Sequence, residues 1–379
     1  MTRRYLCPTG AQTNSKGPSA YPPNAPEYVT KAWGARTLGS DGRWYIDCTS
    51  ALGAIILGHG YREVDDAAVK QLRRCGQSFS LASDVEYRLA ERMVDLIPGM
   101  EMVKFGKNGA DVTGAAVRLA RAVTGREHVV YNGYHGHHDW SMCYPPKNGG
   151  VPECMRRLSH KLPDQRLSTI EEALDNIRPA ALVMEPVVSA DPIIHPEWYW
   201  QEVRKLCDRY GVLLILDEIV TFGRIGFPGA ISEWNIEPDL WCGAKALGNG
   251  WPITAILGKR EVMKRIEQDV FYSTTFAGEA VSMAAALACL DVLEEKGPPK
   301  RIGRAWADAV DRASEEHGLA MRTISYDARP VLRDMPEGFL AAMIDEGVLC
   351  QGYLNATWAH EDVLDELIAA TERAIKRVG

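Results

Sequence analysis

Short apolar runs alternate with helical patterns through the middle of this 379-residue chain, and this alternation constrains the fold most strongly. The apolar runs cover residues 102–106, 128–131, 181–184, 212–216 and 253–257. Continuously apolar strands separated by helices are typical of a parallel sheet that is buried on both faces. We therefore predict an α/β fold with a large, mostly parallel sheet.

The two chain ends have a different pattern and predict a smaller α+β lobe. Asp41-Gly42-Arg43 is a turn signal between two short strand-like runs and predicts a hairpin. Near the other end, helices predicted at 281–295 and 361–377 flank a short, weakly patterned region. The predicted domains are an N-terminal arm and hairpin at residues 1–50, a large domain at 51–282 and a contracted small lobe at 283–379. Within the arm, Pro-rich residues 21–26 predict an extended segment that could pack on a second subunit.

Charge and cysteine usage limit the classes of partner and compartment. The formal net charge is -7 and there is no basic run, which argues against binding to nucleic acid, except as a local substrate, and to anionic membranes. No apolar run approaches the length of a membrane span. The nine cysteines form no CxxC pair, so we expect a soluble protein in the reducing cytoplasm.

Lys245 and Asp217 are the first candidate catalytic residues. Lys245 lies in a mostly uncharged stretch with several glycines, and the apolar strand upstream of that stretch ends in Asp217-Glu218. Open α/β sheets bind ligands beyond the carboxyl ends of their strands. Lys245 could hold an aldehyde cofactor as a Schiff base, with Asp217 paired to a ring nitrogen. The alternative interpretation is a solvated loop lysine and an acidic helix cap.

Asn108-Gly109-Ala110 joins a predicted strand to a predicted helix. Backbone N–H groups at the start of a helix, together with the helix dipole, favour anions there. The segment is therefore a candidate phosphate site, and an ordinary strand-to-helix loop is the alternative.

Tyr134-His135-Gly136-His137-His138 follows another predicted strand. The three histidines raise the alternative of a metal site, but no acidic or cysteine ligands accompany them at metal-binding spacing. We expect no metal, and we expect the ring of Tyr134 to stack on a planar cofactor.

Six segments in chain order carry a resemblance to a known family: Asn108-Gly109-Ala110, Tyr134-His135-Gly136, Glu185-Pro186-Val187, and residues 216–219, 243–248 and 275–279. They resemble the class III aminotransferases, which depend on pyridoxal phosphate (PLP). The similarity is greatest to the glutamate-1-semialdehyde aminomutase-like branch, including relatives associated with surface-polysaccharide synthesis. It covers roughly residues 10–295 and returns at 341–360, and it implies the fold-type-I architecture.

The resemblance implies roles for the residues around the cofactor ring. Lys245 would form the internal aldimine, and Asp217 would pair with the pyridinium nitrogen. Tyr134 would stack on one ring face and Ile219 would contact the other. Glu185 is expected near the phenolic side of the cofactor or near the substrate.

The resemblance also implies a phosphate site that two subunits share. Gly109 and Ala110 would offer backbone donors to the phosphate, with Asn108 assisting. Thr275 would reach the phosphate of the neighbouring subunit's cofactor, so the family's homodimer would have active sites at the subunit boundary.

The expected function is that of a PLP-dependent aminotransferase or aminomutase. It would act on a small amino or carbonyl compound, including a sugar-linked one, with an amino donor and a carbonyl acceptor as partners. A PLP-dependent decarboxylase of an amino acid carried on a larger molecule is one alternative, and a non-catalytic protein that retains PLP is another.

Departures from the family pattern leave the substrate open. The family commonly has Ser-Gly-Thr where Asn108-Gly109-Ala110 stands, and the small lobe is contracted between residues 319 and 336. Arg329 and Arg333 could bind a substrate carboxylate, with solvated surface arginines as the alternative that we favour.

Overall fold

A computed structural model describes residues 6–144, 146–189, 191–324 and 326–379. The chain packs as two compact units. The large unit runs from Glu63 to Gly297, and the small unit combines the two chain ends, up to Arg62 and from Pro298 onward. The domain boundaries at residues 50 and 282 stay a prediction, and a helix over Ala280–Lys296 runs across the second of them.

The strands in chain order are β1 (Val29–Trp33), β2 (Arg36–Gly39), β3 (Trp44–Asp47), β4 (Met102–Gly106), β5 (Val129–Tyr131), β6 (Ser159–Lys161), β7 (Ala181–Met184), β8 (Leu213–Glu218), β9 (Leu240–Gly243), β10 (Thr254–Gly258), β11 (Arg322–Ile324), β12 (Val331–Arg333) and β13 (Val348–Leu349).

The helices are α1 (Ser50–Gly53), α2 (Arg62–Arg74), α3 (Asp84–Leu96), α4 (Gly109–Thr124), α5 (Glu153–Leu158), α6 (Leu167–Ile177), α7 (Glu197–Tyr210), α8 (Ala230–Glu233), α9 (Arg260–Met263), α10 (Arg265–Gln268), α11 (Ala280–Lys296), α12 (Lys300–Glu316), α13 (Phe339–Asp345) and α14 (Leu364–Val378). Short 3-10 turns cover Pro8–Gly10, Asn14–Lys16, Pro18–Ala20, Lys245–Gly248 and Trp358–Val363.

The large unit contains a seven-stranded sheet in the order β4-β10-β9-β8-β7-β5-β6. Strands β5 to β9 pair in parallel, and β10 is antiparallel to both β9 and β4. Every residue of β7 and β9 is buried, as expected for strands covered on both faces. The predicted α/β fold with a mostly parallel sheet is confirmed.

The outer edge of this sheet ends in the short strand β6. The Tyr144 hydroxyl donates a hydrogen bond to the carbonyl oxygen of Ser159 at 3.1 Å and accepts one from the Lys161 amide at 3.2 Å. A side chain therefore pairs with backbone groups of β6 that a further strand would otherwise use.

In the small unit, the four-stranded sheet β1-β2-β3-β13 contains the predicted hairpin as β2 and β3. The prediction of a weakly patterned region after residue 295 was wrong, because residues 300–316 form the amphipathic helix α12. Ile302, Trp306, Val310 and Ala313 recur at helical spacing and are buried in the core of this unit.

Residues 8–20 contain three 3-10 turns. The segment predicted to be extended at 21–26 contains a turn, in which the Ala25 amide donates to the Pro22 carbonyl at 3.0 Å. Asn24 Nδ2 donates to the carbonyl oxygen of Ala341 at 2.8 Å and to Asp345 Oδ1 at 2.7 Å. The arm thus packs on its own small unit. Among the described residues, no helix is both long enough and apolar enough to cross a membrane.

Candidate active site

The carboxyl ends of β8 and β9 bring the two candidate catalytic residues to one edge of the sheet. In the parallel β8–β9 pair, Asp217 lies opposite Cys242 and Glu218 lies opposite Gly243. Lys245 follows Gly243 by two residues. Asp217 and Lys245 therefore occupy neighbouring strand ends, where open α/β sheets bind ligands.

Lys245 has a backbone conformation that side-chain-bearing residues rarely adopt. Its φ is +48°, in the left-handed region, at the start of the 3-10 turn Lys245–Gly248. Such a conformation costs about 1–3 kcal/mol, and strain of this kind clusters at functional sites. The turn is held by a hydrogen bond from the Leu247 amide to the Ala244 carbonyl at 3.1 Å.

Asp217 is buried and both of its carboxylate oxygens accept hydrogen bonds. Oδ1 accepts from the Ile219 amide at 3.0 Å, and Oδ2 accepts from His135 Nδ1 at 2.6 Å. The other ring nitrogen of His135, Nε2, donates to the carbonyl oxygen of Asn132. Both ring nitrogens thus face acceptors, which favours the doubly protonated, positively charged imidazole.

The pKa of His135 reflects two opposing effects. Burial lowers this pKa, but the hydrogen bond and negative charge of Asp217 outweigh burial, so the net direction is upward. At the end of β8, the buried Asp217 side chain thus accepts a hydrogen bond from a positively charged imidazole.

The role of His135 is not evident from the sequence, where the histidines of the Tyr-His-Gly segment indicate only potential metal ligands. In the part of the chain that the structure describes, no group of three or more His, Cys, Asp or Glu side chains is placed to hold a metal ion. The sequence signal for such a role is a polar ring in a segment that follows a buried strand, because a buried polar side chain needs a hydrogen-bond partner.

The candidate phosphate loop packs closely against two other predicted site segments. A Cβ atom on Gly109, the first residue of α4, would lie 2.6 Å from Ile219 Cδ1. A Cβ on Gly136, whose φ is +99°, would lie 2.7 Å from the Cβ of Ala110. The first turn of α4 therefore meets the segments after β8 and β5 at positions where only glycine fits without displacement.

Asn108 is the residue before α4 and is exposed. The backbone N–H of Asn108 donates to Asp111 Oδ2 at 2.8 Å, and the backbone N–H of Lys107 donates to the same oxygen at 3.0 Å. Asp111 thus fixes the two residues that enter the helix, and the backbone N–H groups of the first turn are held in place.

Glu185 is buried at the end of β7 and binds the Tyr134 segment. Its Oε1 accepts from the Tyr134 amide at 2.7 Å, while Oε2 accepts from the Ser189 hydroxyl at 2.6 Å. Burial raises the pKa of Glu185, although the charge of His135 and these hydrogen bonds act in the opposite direction. The Tyr134 side chain is 63% exposed.

Thr275 lies on an exposed turn and takes part in none of these contacts. The turn leads to Glu279, whose Oε2 accepts from Lys107 Nζ at 3.0 Å, so it adjoins the candidate phosphate loop. The structure therefore brings together Asn108, Gly109, Ala110, Tyr134, Glu185, Asp217, Ile219 and Lys245 at one end of the sheet, and it places Thr275 at the surface nearby.

Glu218 serves a different purpose from its neighbour Asp217. It accepts hydrogen bonds from the Thr221 hydroxyl, the amides of Ala230 and Ile231, and Trp241 Nε1, at 2.7 to 3.2 Å. Burial raises the pKa of this carboxyl even though all four donors favour the charged form. Glu218 ties the end of β8 to α8 and β9.

In the small unit, the preference for Arg329 as a solvated surface residue was wrong. Arg329 is only 7% exposed, and its Nε donates to Asn355 Oδ1 at 3.1 Å. The guanidinium carbon lies 4.8 Å from the ring centroid of Tyr353. A role in carboxylate binding stays a prediction.

Comparison with known proteins identifies the family. The class III aminotransferase family matches residues 20–318. A glutamate-1-semialdehyde 2,1-aminomutase from Aquifex aeolicus is 31% identical, over 93% of this chain and 93% of that protein. One from Desulfosudis oleivorans is also 31% identical, over 93% of this chain and 91% of that protein.

The fold comparison agrees with the sequence comparison. The structure of the PLP internal aldimine form of the FumI protein from Sphingopyxis sp. MTA144 has a TM-score of 0.92 and 28% sequence identity. The match covers 99% of this chain and 94% of that protein. The chain therefore belongs to the class III aminotransferases and is a PLP-dependent enzyme of the aminotransferase and aminomutase type.

Proposed function

We propose that this chain moves an amino group between a small amino donor and a carbonyl acceptor, with Lys245 and Asp217 as its catalytic residues. The observation that carries the proposal is the buried Asp217–His135 pair at the end of β8, on the strand next to the one that leads to Lys245. A buried aspartate held in place at this position is suited to pair with a protonated ring nitrogen.

The residues fit PLP on three structural features. Gly109 and Gly136 let the first turn of α4 pack closely against the neighbouring segments, where a Cβ would obstruct the contact. The N-terminus of a helix also suits a phosphate. Asp217 supplies the negative charge for a protonated ring nitrogen. Lys245 supplies the amine, on a backbone conformation that its neighbours hold in place.

When bound, PLP supplies a carbonyl carbon that an amine can attack and a ring that accepts electrons from the substrate. Lys245 would hold the cofactor through its amine and, once displaced by the substrate, would move a proton at the substrate carbon. Asp217 would accept a hydrogen bond from the ring nitrogen. Asn108, Gly109 and Ala110 would bind the phosphate, while Tyr134 and Ile219 would contact the two ring faces and Glu185 the phenolic side.

We propose further that the enzyme is a homodimer in which Thr275 completes the partner's phosphate site. A cavity of about 490 Å³ beside Lys107 and Asn108 is lined largely by apolar side chains. Val69, Leu72 and Phe276 line it and are exposed in the single chain. An exposed apolar surface of this kind suits burial against a second copy.

A reducing cytoplasm is the proposed location. All nine cysteines are free thiols, and six of them are buried in the folded chain. Disulfide bonds are rare where thiols are kept reduced, so this cysteine usage supports the proposal.

The test is conversion of the bound cofactor to its amine form when candidate amino acids are added to the holoenzyme. Wild-type protein should convert, and Lys245→Ala should lose the yellow absorbance of lysine-bound cofactor. Asp217→Ala should keep weakened cofactor binding and lose turnover by a factor of at least about 100, as for removal of an electrostatic partner of the transition state.

Lys205→Ala is the control, because Lys205 is a surface lysine paired with Glu202 at 2.7 Å. Unchanged lysine-bound absorbance in Lys245→Ala, or near wild-type turnover in Asp217→Ala, would contradict the assignment. Release of carbon dioxide without formation of the amine form would favour the decarboxylase instead.

A further inference from the structure

The positive charge of His135 is buried, and its surroundings must stabilise it. The side chain has no exposed surface, and its two N–H groups bind Asp217 Oδ2 and the Asn132 carbonyl. These bonds lie in the plane of the ring. The faces of the ring need other partners, because a buried charge is unfavourable unless its whole environment is polar or polarisable.

The ring of Trp140 lies beside this imidazole, offset and nearly parallel to it. The ring centroids of His135 and Trp140 are 5.7 Å apart and the rings are tilted by only 17°. Trp140 is 4% exposed. The face of an aromatic ring is its negative region, and tryptophan attracts a cation within about 6 Å more strongly than other aromatic residues do.

The surrounding contacts fix both rings. Tyr131 meets His135 and Trp140 edge-on, at centroid distances of 5.8 and 5.7 Å. The Thr113 hydroxyl donates to the His135 carbonyl at 2.7 Å. The Ser141 hydroxyl, next to Trp140, donates to the Gly136 carbonyl at 2.9 Å. These contacts therefore hold the rings of His135 and Trp140 in place within the folded loop.

The other titratable groups near His135 are few. Asp217 on β8 and Glu185 after β7 both raise its pKa through their charges. Tyr131 on β5 and Cys242 on β9 have pKa values raised by burial, so both are neutral at physiological pH. The contacts from α4 come from Thr113 and Ala110, which do not titrate.

We propose that Trp140 is a positioning residue whose ring face stabilises the charge on His135, which in turn holds the Asp217 carboxylate in place for the cofactor ring. This inference rests on the proposed function. Neutral His135 would keep its Nδ1 proton on the Asp217 carboxylate, because that hydrogen bond is charge-assisted, and would turn the lone pair of Nε2 towards the Asn132 carbonyl. Loss of the charge would therefore weaken the hydrogen bond to Asp217 and replace the one to Asn132 with repulsion, which would loosen the position of both side chains.

The sign of the pH effect follows from the charge. The protonated form of His135 is lost as pH rises through its pKa, and removal of the Trp140 face lowers that pKa. The alkaline limb of the kcat profile should therefore move to lower pH by roughly 0.4 to 1.5 units in Trp140→Leu, the range expected for a desolvated cation over a tryptophan face. Trp140→Phe should show a smaller shift, because it keeps an aromatic face.

Trp200 provides a matched control. It is 1% exposed in the same large unit, packs edge-on against Tyr199 at 5.3 Å, and, like Trp140, has a buried indole nitrogen without a hydrogen-bond partner among the described residues. Trp200→Phe and Trp200→Leu should affect stability as the Trp140 variants do, and leave the alkaline limb unchanged.

A second measurement follows His135 directly, through the nitrogen and proton resonances of its ring in the holoenzyme across the same pH range. Both ring nitrogens should stay protonated to higher pH in wild type than in Trp140→Leu, with Trp140→Phe between them. Equal profiles and resonances in both Trp140 variants and wild type would overturn the proposal, as would identical shifts in the Trp200 variants. Full turnover in Asp217→Ala would refute the proposed function and leave the His135 resonances to decide whether Trp140 stabilises the charge.

Discussion

Two consecutive acidic residues at the end of β8, Asp217 and Glu218, have different surroundings. Asp217 lies beside His135, and Glu218 receives Trp241 Nε1 and the amides that begin α8. Successive side chains of a strand point to opposite faces, so one acid faces the proposed cofactor site and the other faces the packing between elements. Residue type alone does not distinguish them; their hydrogen-bond partners do.

Glu218→Gln should lower the free energy of unfolding by about 1–3 kcal/mol at acidic pH and by less at neutral pH. The amide has one acceptor oxygen, and its NH2 group would face donors that now bind a carboxylate. Because the pKa of Glu218 is raised by burial above 4.5, its ionisation opposes folding. The stability contributed by this group is therefore present below about pH 4.5 and declines as pH rises through the folded pKa.

Urea unfolding of wild type and Glu218→Gln at several pH values checks both expectations. In the variant, the free energy of unfolding should lack the part of its pH dependence that titration of Glu218 supplies. Glu171→Gln serves as a control, since Glu171 forms an exposed ion pair with Arg209. A wild-type unfolding midpoint in Glu218→Gln would show that the four donors contribute little.

At the scale of elements, prediction succeeded where the signal was local. Helix α7 has the predicted bounds 197–210, because Pro196 precedes it and Gly211 ends it in the left-handed conformation. Strand β9 was missed because its short apolar run ends in Gly243 and leads directly into the turn that contains Lys245. Helix α12 was missed although Ile302, Trp306 and Val310 recur at helical spacing, so its sequence did carry the helical pattern.

The candidate site was predictable as a set of segments and not as a network. Motif order located Lys245, Asp217 and the loop before α4, each at the end of a strand. The bond between His135 and Asp217 joins residues 82 positions apart, so it depends on the β5-β7-β8 order of the sheet, which no local pattern encodes. The stacking of Trp140 on His135 joins residues only five positions apart, but it lies in an irregular loop whose conformation no periodic pattern predicts.

The contact between the Tyr-His-Gly segment and α4 gives a prediction at this scale. Gly136→Ala should destabilise the protein and weaken PLP binding by a factor of roughly 10 or more, because the new Cβ would lie 2.9 Å from the Ala110 Cα at a φ of +99°. Cofactor titration and thermal unfolding of the apoenzyme measure the two effects.

Gly125→Ala is the matched control for backbone strain. Gly125 ends the same helix with a φ of +67°, but a Cβ there would meet no atom within 4 Å. Its loss of stability should reflect the left-handed conformation alone, about 1 kcal/mol, with cofactor affinity unchanged. If the two variants bound PLP equally well, the packing of Gly136 on Ala110 would not shape the phosphate site.

At the scale of the whole molecule, the proposed shared site predicts that cofactor affinity depends on protein concentration. Dilution should release PLP as dimers dissociate, because a ligand that binds only the assembled state stabilises it by mass action. Thr275→Ala should weaken PLP binding in the dimer, while Thr274→Ala, at an adjacent exposed threonine of the same turn, should not.

Sedimentation of apo and holo protein across dilution, alongside cofactor absorbance, makes the measurement. Full occupancy and turnover in a stable monomer would rule out the shared site. Equal effects of the two threonine variants would instead attribute the loss to the turn as a whole.

The Tyr144 hydroxyl at the β6 edge has a consequence for how copies of this enzyme can associate. An open sheet edge is a template on which another chain can add a strand, the route by which folded proteins enter fibrillar aggregates. Here one phenol occupies a backbone acceptor and a backbone donor of β6. Growth of the sheet beyond β6 is thereby disfavoured, so this edge resists strand addition by another copy even at high concentration.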